Sequence, residues 1–370
     1  MYPQPRPDEN GASRYTIFII GLGLIGSHLV RHLITMLQVA RLVLIDDGVY
    51  EHSNLRGQFI SPEDVGTPKV TAQARQLRRL NPAVTIDTHV ARIEEIPMGI
   101  LRQADIAVCG VDSRQARWHN NRLWQKLGVP WVDVAVEAGG TLVRAGAYIP
   151  GQGSCLLCSW GPDHFARLTQ KHPCLTASPA PSTRGISVTG AIAGALGAME
   201  VAKLVNGPSQ ELLVDRQMYL DVRHHQLDVV RFGENPDCPC DHSPWRITTI
   251  AAPARKLSLL RALLLRGNGR PSAMGLDGQV FVKRQHCLSC ARPGESLLRL
   301  SERLRANQRT CRHCGGELAA AAFDTLDTLS VGDVSPARLA GPLHDLGFLD
   351  ADVFTLLSPG EQPAHFQIGA

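Results

Sequence analysis

The chain contains 370 residues, of which 44% are hydrophobic and 19% are charged, and its formal net charge is +4. This balance excludes a disordered chain, and the charge is too small to indicate nucleic-acid binding by itself. The longest apolar stretch, Ile186 to Val205, is interrupted by Glu200 and Lys203, so we expect no membrane span. The polar first residues, Met1 to Ser13, lack a secretory pattern, and we expect a cytoplasmic protein.

The first part of the chain alternates short β-branched runs with segments that are apolar at helical spacing. The predicted strands are Tyr15–Ile20, Leu42–Ile45, Asp105–Gly110, Trp131–Val136 and a strand pair in Met218–Arg231. The predicted helices are Ser27–Leu37, Lys69–Leu80, Arg114–Leu127 and Thr189–Leu204. This alternation predicts an α/β fold: a Rossmann-like, mostly parallel sheet with helices on both faces.

Prolines and cysteines cluster at Asn235 to Pro244, which predicts a domain boundary. We therefore divide the chain into residues 14–243, a zinc-ribbon-containing domain at 244–322, and a small segment at 323–370. Within the C-terminal part the patterns predict a helix at Arg255–Leu265, a strand at Gln279–Lys283 and a helical insert at Glu295–Ala306.

A glycine-rich turn joins the first predicted strand directly to the first helix. It reads Gly21-Leu-Gly23-Leu-Ile-Gly26, and Asp46 follows twenty residues after Gly26 at the end of the next predicted strand. Such glycines let backbone N–H groups approach phosphates at a helix N-terminus, and the carboxylate can accept hydrogen bonds from ribose hydroxyls. A tight turn that binds no ligand does not require a preceding strand, a following helix and an acidic residue at the end of the next strand. We therefore interpret the glycine-rich turn as a nucleotide site.

The polar residues beyond Asp46 favour ATP with Mg²⁺ over NAD. Cations are expected where a triphosphate must be held during attack by an anion, and a carboxylate at a strand end suits Mg²⁺. The candidates in the first loop and its helix are Asn54, Arg56, Gln58 and Lys69. Those after a later strand are Asp112 and Ser113, with Arg117, Asn120 and Asn121 on the following helix.

The chain contains ten cysteines. Because a reducing compartment disfavours disulfides, we expect these cysteines to have another role. Eight of them form close pairs, enough for two tetrahedral Zn²⁺ sites: Cys155/Cys158, Cys238/Cys240, Cys287/Cys290 and Cys311/Cys314. The last two pairs have the spacing of a zinc ribbon, for which we favour a structural or protein-docking role over nucleic-acid binding. Cys109 lies in an apolar strand and is expected to be a core residue.

Taken in order, these motifs resemble the ThiF/MoeB/HesA superfamily of ubiquitin-like protein activating enzymes. The resemblance runs from Tyr15 to His242. It includes the glycine loop, Leu44–Asp47, Ser53–Leu55 with Gln58, Pro68-Lys69, Asn81-Pro82, Val111–Ser113 with Arg117, the first two cysteine pairs and Gly194–Lys203. It implies binding of ATP·Mg²⁺ and adenylation of the C-terminal carboxylate of a ubiquitin-like or sulfur-carrier protein ending in Gly-Gly. The implied roles are Asp46 on the ribose, Lys69 on the phosphates and Asp112 on Mg²⁺.

The resemblance also assigns the remaining cysteines. Cys155 and Cys158 would form a zinc site in a crossover loop with Cys238 and Cys240. That second pair is one residue short, and His242 is an alternative ligand. Cys174 resembles the thioester cysteine of activating enzymes, which implies a conjugating enzyme as a further partner.

Two departures concern arginines, and the assembly is inferred by analogy alone. Gly57 stands where the family usually has an arginine, so we expect Arg56 to substitute for it. Only Arg6 and Arg14 are candidates for an arginine that many relatives place in the partner subunit's site. A homodimer is expected because relatives usually dimerise.

Three other functions stay open beside an activating enzyme. One is a sulfur-carrier adenylyltransferase of molybdopterin or thiamine synthesis without the thioester step. Another is a non-catalytic binding module that keeps the fold, and the last is an NAD-dependent oxidoreductase. Cys174 and the zinc-ribbon extension favour the activating enzyme.

Overall fold

The structure, a computed structural model, describes residues 6–7, 13–137, 139–169, 186–207, 211–267, 270–294 and 296–369. It divides into two compact units. The first comprises Met1–Ile93 and Leu101–Pro244, and the second comprises Glu94–Ile100 and Trp245–Ala370.

The first unit is built on a nine-stranded sheet with the order β4-β3-β2-β5-β6-β7-β8-β9, and β1 pairs with β2. Its strands are β1 (Arg6–Pro7), β2 (Ser13–Ile20), β3 (Val39–Ile45), β4 (Thr85–His89), β5 (Ile106–Cys109), β6 (Trp131–Val136), β7 (Leu142–Tyr148), β8 (Arg216–Asp221) and β9 (Gln226–Arg231). The pairs from β4 to β6 are parallel, and those from β6 to β9 are antiparallel.

The helices of this part of the chain are α1 (Gly26–Leu33), α2 (Lys69–Leu80), α3 (Met98–Leu101), α4 (Arg114–Leu127), α5 (Pro162–Thr169) and α6 (Ser187–Val205). Helices of the first unit lie on both faces of the sheet. Val108 of β5 shares a core with Leu29 of α1 and Ala193 of α6. The next residue, Cys109, points to the opposite face, where its sulfur accepts a hydrogen bond from Trp124 of α4 at 3.4 Å.

Helix α6 packs against α1 because glycines bring the two backbones close together. A Cβ at Gly194 would lie 2.8 Å from the Leu29 nitrogen, and one at Gly190 would lie 2.7 Å from the Leu24 oxygen. By length and composition α6 is apolar enough to cross a membrane, and 56% of its apolar window is buried in the structure. Glu200 within it is 2% exposed and accepts hydrogen bonds from Lys203 and the Leu213 N–H. The packing is that of a core helix.

The strand order changes direction between β2 and β5, since β3 and β4 lie on one side and β6 on the other. Parallel sheets bind ligands in the crevice outside the carboxyl ends of the strands at such a point. The loops that follow β2 and β5 meet there, because a Cβ at Gly21 would lie 2.9 Å from the Gly110 oxygen. The sheet therefore brings the predicted glycine loop beside the loop that carries Asp112.

The second unit contains shorter strands in three small sheets. Its elements are β10 (Ile247–Ile250), α7 (Leu259–Leu263), β11 (Ala273–Leu276), β12 (Phe281–Val282), β13 (His286–Cys287), β14 (Arg299–Leu300), β15 (Leu318–Ala319), β16 (Thr325–Leu326), α8 (Pro336–Ala340), β17 (Val353–Leu357) and β18 (Ala364–Ile368). The largest sheet has the order β10-β18-β17-β11, and β12 pairs with both β14 and β16. Residues 244–322 and 323–370, separated by the sequence analysis, thus contribute strands to the same sheets.

The predicted fold class, a mostly parallel α/β sheet with a smaller C-terminal region, is confirmed. The helices predicted at Lys69–Leu80 and Arg114–Leu127 and the strand at Trp131–Val136 match α2, α4 and β6 residue for residue. The helical insert at Glu295–Ala306 is wrong. Arg299–Leu300 is a strand that pairs with β12, and Ser301–Arg303 and Ala306–Gln308 are single 3₁₀ turns.

Candidate nucleotide site and cysteine clusters

The glycine loop lies between β2 and α1, and its three glycines differ in backbone conformation and in the space around their Cβ positions. Gly21 has φ +89°, which favours glycine. A Cβ at Gly26 would lie 2.0 Å from the Gly21 oxygen, so a side chain there is incompatible with the turn. Gly23 has no atom within 4 Å of its Cβ position in the described residues. The turn is therefore tight inside and open at Gly23, as a phosphate-binding loop requires.

Asp46 follows β3 and holds the glycine loop through backbone groups. Its Oδ2 accepts the Leu22 N–H at 2.7 Å, and its Oδ1 accepts the Gly48 N–H at 2.8 Å. The ammonium group of Lys69, the first residue of α2, lies 3.9 Å from Oδ1. The predicted ribose acceptor and the predicted phosphate cation are thus neighbours at the carboxyl end of the sheet.

Tyr50 is a buried residue that supports the glycine loop, and no sequence motif predicted this role. Its hydroxyl donates to the Leu22 oxygen at 2.9 Å and accepts from Gln73 at 2.9 Å. Burial raises the pKa of Tyr50 well above its ordinary value, so the hydroxyl stays a donor. Lone aromatic residues in loops carry no sequence signal for such a role.

The loop after β3 contains a 3₁₀ helix, His52–Arg56, that positions three candidates. The Asn54 Oδ1 accepts the Glu51 N–H at 2.8 Å, so this amide caps the turn. Gln58 follows, and its Oε1 is buried without a donor among the described residues. Arg56 is exposed, and no hydrogen bond or ion pair is found for it in the described part of the chain. A buried orphan acceptor and an unengaged cation are what a ligand site leaves open.

Asp112 is exposed and follows β5, in the loop that meets the glycine loop at Gly110. Ser113 caps α4 by accepting the Ala116 N–H at 3.1 Å. Arg117 is buried, donates to the Val111 oxygen at 2.5 Å and lies 3.3 Å from Asp133. Arg117 therefore holds the backbone next to Asp112 and is a positioning residue here.

Asn120 and Asn121, predicted to lie near the phosphates, are fully buried on the same face of α4 as Arg117. The Asn120 Oδ1 lies 3.1 Å from the Cys109 sulfur. The Asn121 Nδ2 lies 3.4 Å from the Cys155 sulfur and 3.6 Å from the Cys240 sulfur. Asn121 consequently orients the Cys155 thiol of the first cysteine cluster and the neighbouring Cys240 thiol, as the outer residues of metal sites do.

The first cluster gathers donors from two loops far apart in the sequence. Cys155, Cys158, Cys238 and His242 have ligand atoms that all lie within 4.8 Å of one another. The His242 Nε2 is 3.4 Å from the Cys158 sulfur. Cys240 is outside this group, and its thiol lies 3.7 Å from the Asp241 oxygen. Three sulfurs and one imidazole nitrogen form a donor set that fits tetrahedral Zn²⁺.

The second cluster contains the four cysteines predicted for the zinc ribbon. Cys287, Cys290, Cys311 and Cys314 also lie within 4.8 Å of one another. The sulfurs of Cys287 and Cys314 are 3.4 Å apart, and those of Cys290 and Cys311 are 3.8 Å apart. Four thiolates at these separations fit a structural Zn²⁺ site.

Two cysteines remain. Cys109 is fully buried, and burial raises the pKa of its thiol, so it is an inert core residue as expected. Cys174, the predicted thioester cysteine, lies outside the described residues.

The family to which the chain belongs follows from a comparison with known protein families. The sequence model of the ThiF family matches residues 6–240, which is more than half of the chain. The chain belongs to the ThiF family. The predicted resemblance is thereby confirmed, and the matched range contains the glycine loop, Asp46, Lys69, Asp112 and three cysteines of the first cluster.

Its relatives include named activating enzymes. The SAMP-activating enzyme E1 of Haloferax volcanii is 27% identical over 225 residues, which is 60% of this chain and 78% of that protein. Ubiquitin-like modifier-activating enzyme 5 of Oryza sativa subsp. japonica is 26% identical over 159 residues, or 39% of this chain and 38% of the relative. The chain thus spans less than half the length of the second relative. As a ThiF-family member with such relatives, it is an E1-like adenylating enzyme.

The fold has a counterpart among solved structures. The crystal structure of E. coli MccB with succinimide superposes with a TM-score of 0.50 at 22% identity, covering 61% of this chain and 67% of MccB. At this level of identity the likeness concerns the fold alone.

Proposed function

We propose that this protein uses ATP to adenylate the C-terminal carboxylate of a small ubiquitin-like protein ending in Gly-Gly. The observation that carries the proposal is the arrangement of Asp46 and Lys69 around the open glycine loop. The named functions of the relatives support the class of substrate.

Different residues of the crevice would bind different parts of the nucleotide. The backbone N–H groups at the start of α1 and the Lys69 ammonium would bind the phosphates, with Gly23 allowing close approach. Each Asp46 oxygen accepts one backbone N–H and keeps a second lone pair for a ribose hydroxyl. Gln58, whose Oε1 lacks a donor among the described residues, would accept a hydrogen bond from the bound nucleotide.

The reaction joins two anions, so charge must be offset. A carboxylate oxygen of the carrier attacks the α-phosphorus of ATP, and the bond to the leaving pyrophosphate breaks with its electron pair. Lys69 and the exposed Arg56 would offset the negative charge that gathers on the phosphates. Asp112, a single exposed carboxylate, suits Mg²⁺, which when bound supplies Lewis-acid charge neutralisation. Arg117 keeps the Asp112 loop in place through the Val111 oxygen.

The thioester step is proposed from the sequence motif around Cys174. Its thiolate would attack the acyl adenylate, releasing AMP and retaining the carrier as a thioester for transfer to a conjugating enzyme. The sulfur-carrier alternative stops at the adenylate or continues differently. A thiol-sensitive adduct that disappears in Cys174→Ala while exchange persists would support the thioester, and its absence from the unaltered enzyme would favour the alternative.

The central test is carrier-dependent exchange of labelled pyrophosphate into ATP. We expect Asp46→Ala and Lys69→Ala to lower exchange by about 10²-fold or more, because each removes a group that contacts ATP. Asp228→Asn, on the exposed strand β9, is the matched control and should keep full exchange. Absence of exchange in the unaltered protein with every Gly-Gly carrier tested would contradict the proposal and favour a non-catalytic binding module.

We also propose a homodimer and a cytoplasmic location, in keeping with the sequence. Light scattering of the full chain would refute the dimer if it gave a stable monomer mass. The location is tested by fractionation of cells that express the tagged chain.

A further inference from the structure

A cavity lies beside the cysteine cluster of the second unit. Its volume is about 140 Å³, and its walls are formed by one segment from Gln285 to Leu297 and another from Asn307 to Leu318. None of its described lining residues belongs to the nucleotide crevice. Neither the fold family nor the proposed adenylation gives this cavity a role.

The cysteine cluster joins the two walls. Cys287 and Cys290 belong to the first segment, whereas Cys311 and Cys314 belong to the second, and Cys311 itself lines the cavity. The backbone link between the walls is short, since β13 and β15 pair over only two residues each. A metal ion in the cluster would therefore fix the width of the cavity.

Gln285 supplies an unused acceptor at this site. The residue is 3% exposed, and its Oε1 is buried with no hydrogen-bond donor among the described residues. A buried carbonyl oxygen without a donor costs about 1–3 kcal/mol. Because Gln285 lines the cavity, an N–H group of a ligand can remove this cost.

The rim of the cavity is cationic. Arg292 and Arg312 line it, and the Arg292 Nη1 lies 3.1 Å from the Nδ1 of His313. No carboxylate is found among the described lining residues. A guanidinium beside an imidazole, with no carboxylate among the described residues of the cavity wall, is suited to an incoming carboxylate.

We propose that this cavity binds the free C-terminal end of an extended peptide. The terminal carboxylate would pair with Arg292, and a backbone N–H would donate to Gln285. Pro293, Leu297 and Leu318 give the cavity its apolar walls. The volume is close to that of an engineered cavity that holds benzene, so it accepts small terminal residues such as glycine.

Nucleic acid is the less suitable ligand. Single-stranded bases are usually held on aromatic side chains, and none is found among the described lining residues other than the His313 imidazole. The cavity also offers a buried acceptor for an N–H, which a phosphate backbone does not supply. An oligonucleotide is therefore an outcome of the test that contradicts the proposal.

The test uses the full-length, zinc-loaded protein without ATP, so its result is independent of adenylation. Fluorescence anisotropy would compare a labelled hexapeptide ending in Gly-Gly as the free acid with the same peptide amidated. We expect the free acid to bind at least about fivefold more tightly, because a charged hydrogen bond is lost on amidation. Arg292→Ala should abolish this difference, and Gln285→Leu should weaken both peptides by about fivefold.

Arg284→Ala is the matched control, since Arg284 is exposed in the same unit and does not line the cavity. It should leave both affinities unchanged. Equal affinity for acid and amide, equal effects of Arg284→Ala and Arg292→Ala, or preferential binding of a single-stranded oligonucleotide would each overturn the proposal. Zinc content and circular dichroism establish folding, and if Gln285→Leu does not fold, the amide comparison and Arg292→Ala decide the result.

Discussion

The two cysteine clusters have opposite relations to the units that contain them. The first is attached to a sheet whose strands β6 and β7 are almost entirely buried and six or seven residues long. The second lies among strands of two residues each, from β12 to β16. A metal in the first cluster would fasten loops to a sheet that is already buried, whereas a metal in the second would join short segments, 285–294 and 307–318, that contribute no residue to the hydrophobic core of the second unit.

This contrast follows from how much apolar surface each region buries. The core of the first unit is continuous across β2, β3, β5 and β6 and the helices α1 and α6. Around the second cluster, Cys287 and Cys311 are buried, whereas Cys290 is half-buried and Cys314 is exposed. Short segments of this kind are commonly unfolded without their metal. The predictions below test the contrast, beginning with the largest effect.

The largest effect is expected for Cys311→Ser. Binding of structural Zn²⁺ is worth about 10–16 kcal/mol in small zinc domains, far more than two-residue strands contribute. The variant should lose one equivalent of zinc and become open to protease between Lys283 and Leu318, while the first unit resists digestion. Mass spectrometry of the intact protein and of the fragments measures both. Persistent resistance of this segment would show that its core is sufficient without the metal.

In the first unit, the next largest loss of stability is expected from a substitution in the glycine loop. Gly26→Ala would place a Cβ 2.0 Å from the Gly21 oxygen, so the backbone must shift at a cost of about 3 kcal/mol. Urea unfolding followed by tryptophan fluorescence measures the loss.

Gly23→Ala is the matched control, because its Cβ meets no described atom within 4 Å. It should keep the stability and weaken ATP binding by about tenfold, since the second glycine allows phosphates to approach the backbone. Equal destabilisation by the two alanines would contradict the geometry of the loop.

A smaller effect is expected for Cys158→Ser in the first cluster. Its metal would crosslink loops within a folded unit, and crosslinks that close long loops contribute about 2–4 kcal/mol. The variant should lose zinc but keep its far-ultraviolet circular dichroism. Between the two alternative ligands, His242→Ala should release zinc and Cys240→Ser should retain it, because only His242 belongs to the group of four. The reverse pattern would assign the site to Cys240.

The smallest effect concerns Asp352 in the second unit. Burial raises the pKa of this carboxyl from 3.8 to about 6, although the Leu349 N–H and Arg303 oppose the shift and Asp350 adds to it. Since the folded state favours the protonated form, the contribution of Asp352 is fully present below about pH 4 and is lost as the pH rises through 6. We expect Asp352→Asn to flatten the pH dependence of unfolding between these values, by less than about 3 kcal/mol. Parallel curves for the two proteins would exclude this assignment.

Sequence periodicity predicted the elements of the first unit because their cores are local and regular. Helices α2 and α4 were located to the residue, and the glycine loop with Asp46 was recognised from its order alone. For the insert after Cys290, the same periodicity predicted a helix that the structure does not contain. Its leucines have helical spacing, but Leu300 pairs with Phe281 in a sheet, and this tertiary pairing overrides the local preference.

Polar residues were harder to place than apolar ones. The pattern of α4 did not reveal that Asn121 faces the cysteines, because amide side chains serve equally at a ligand site or behind a metal cluster. Spacing likewise could not choose between Cys240 and His242, which depend on how the loop turns. The geometry of folded loops supplied these distinctions.

The parallel pairing of β10 with β18 determines when, relative to translation, the second unit can finish folding. Ile247 to Ile250 find their partner strand only at His365 to Ile368, more than a hundred residues later. While the ribosome is still producing the intervening chain, β10 has one edge that nothing can yet cover, so the second unit must complete its folding after translation of residue 368. A ribosome that stalls before this point would release an open strand edge, and chaperones would be needed to shield it from aggregation.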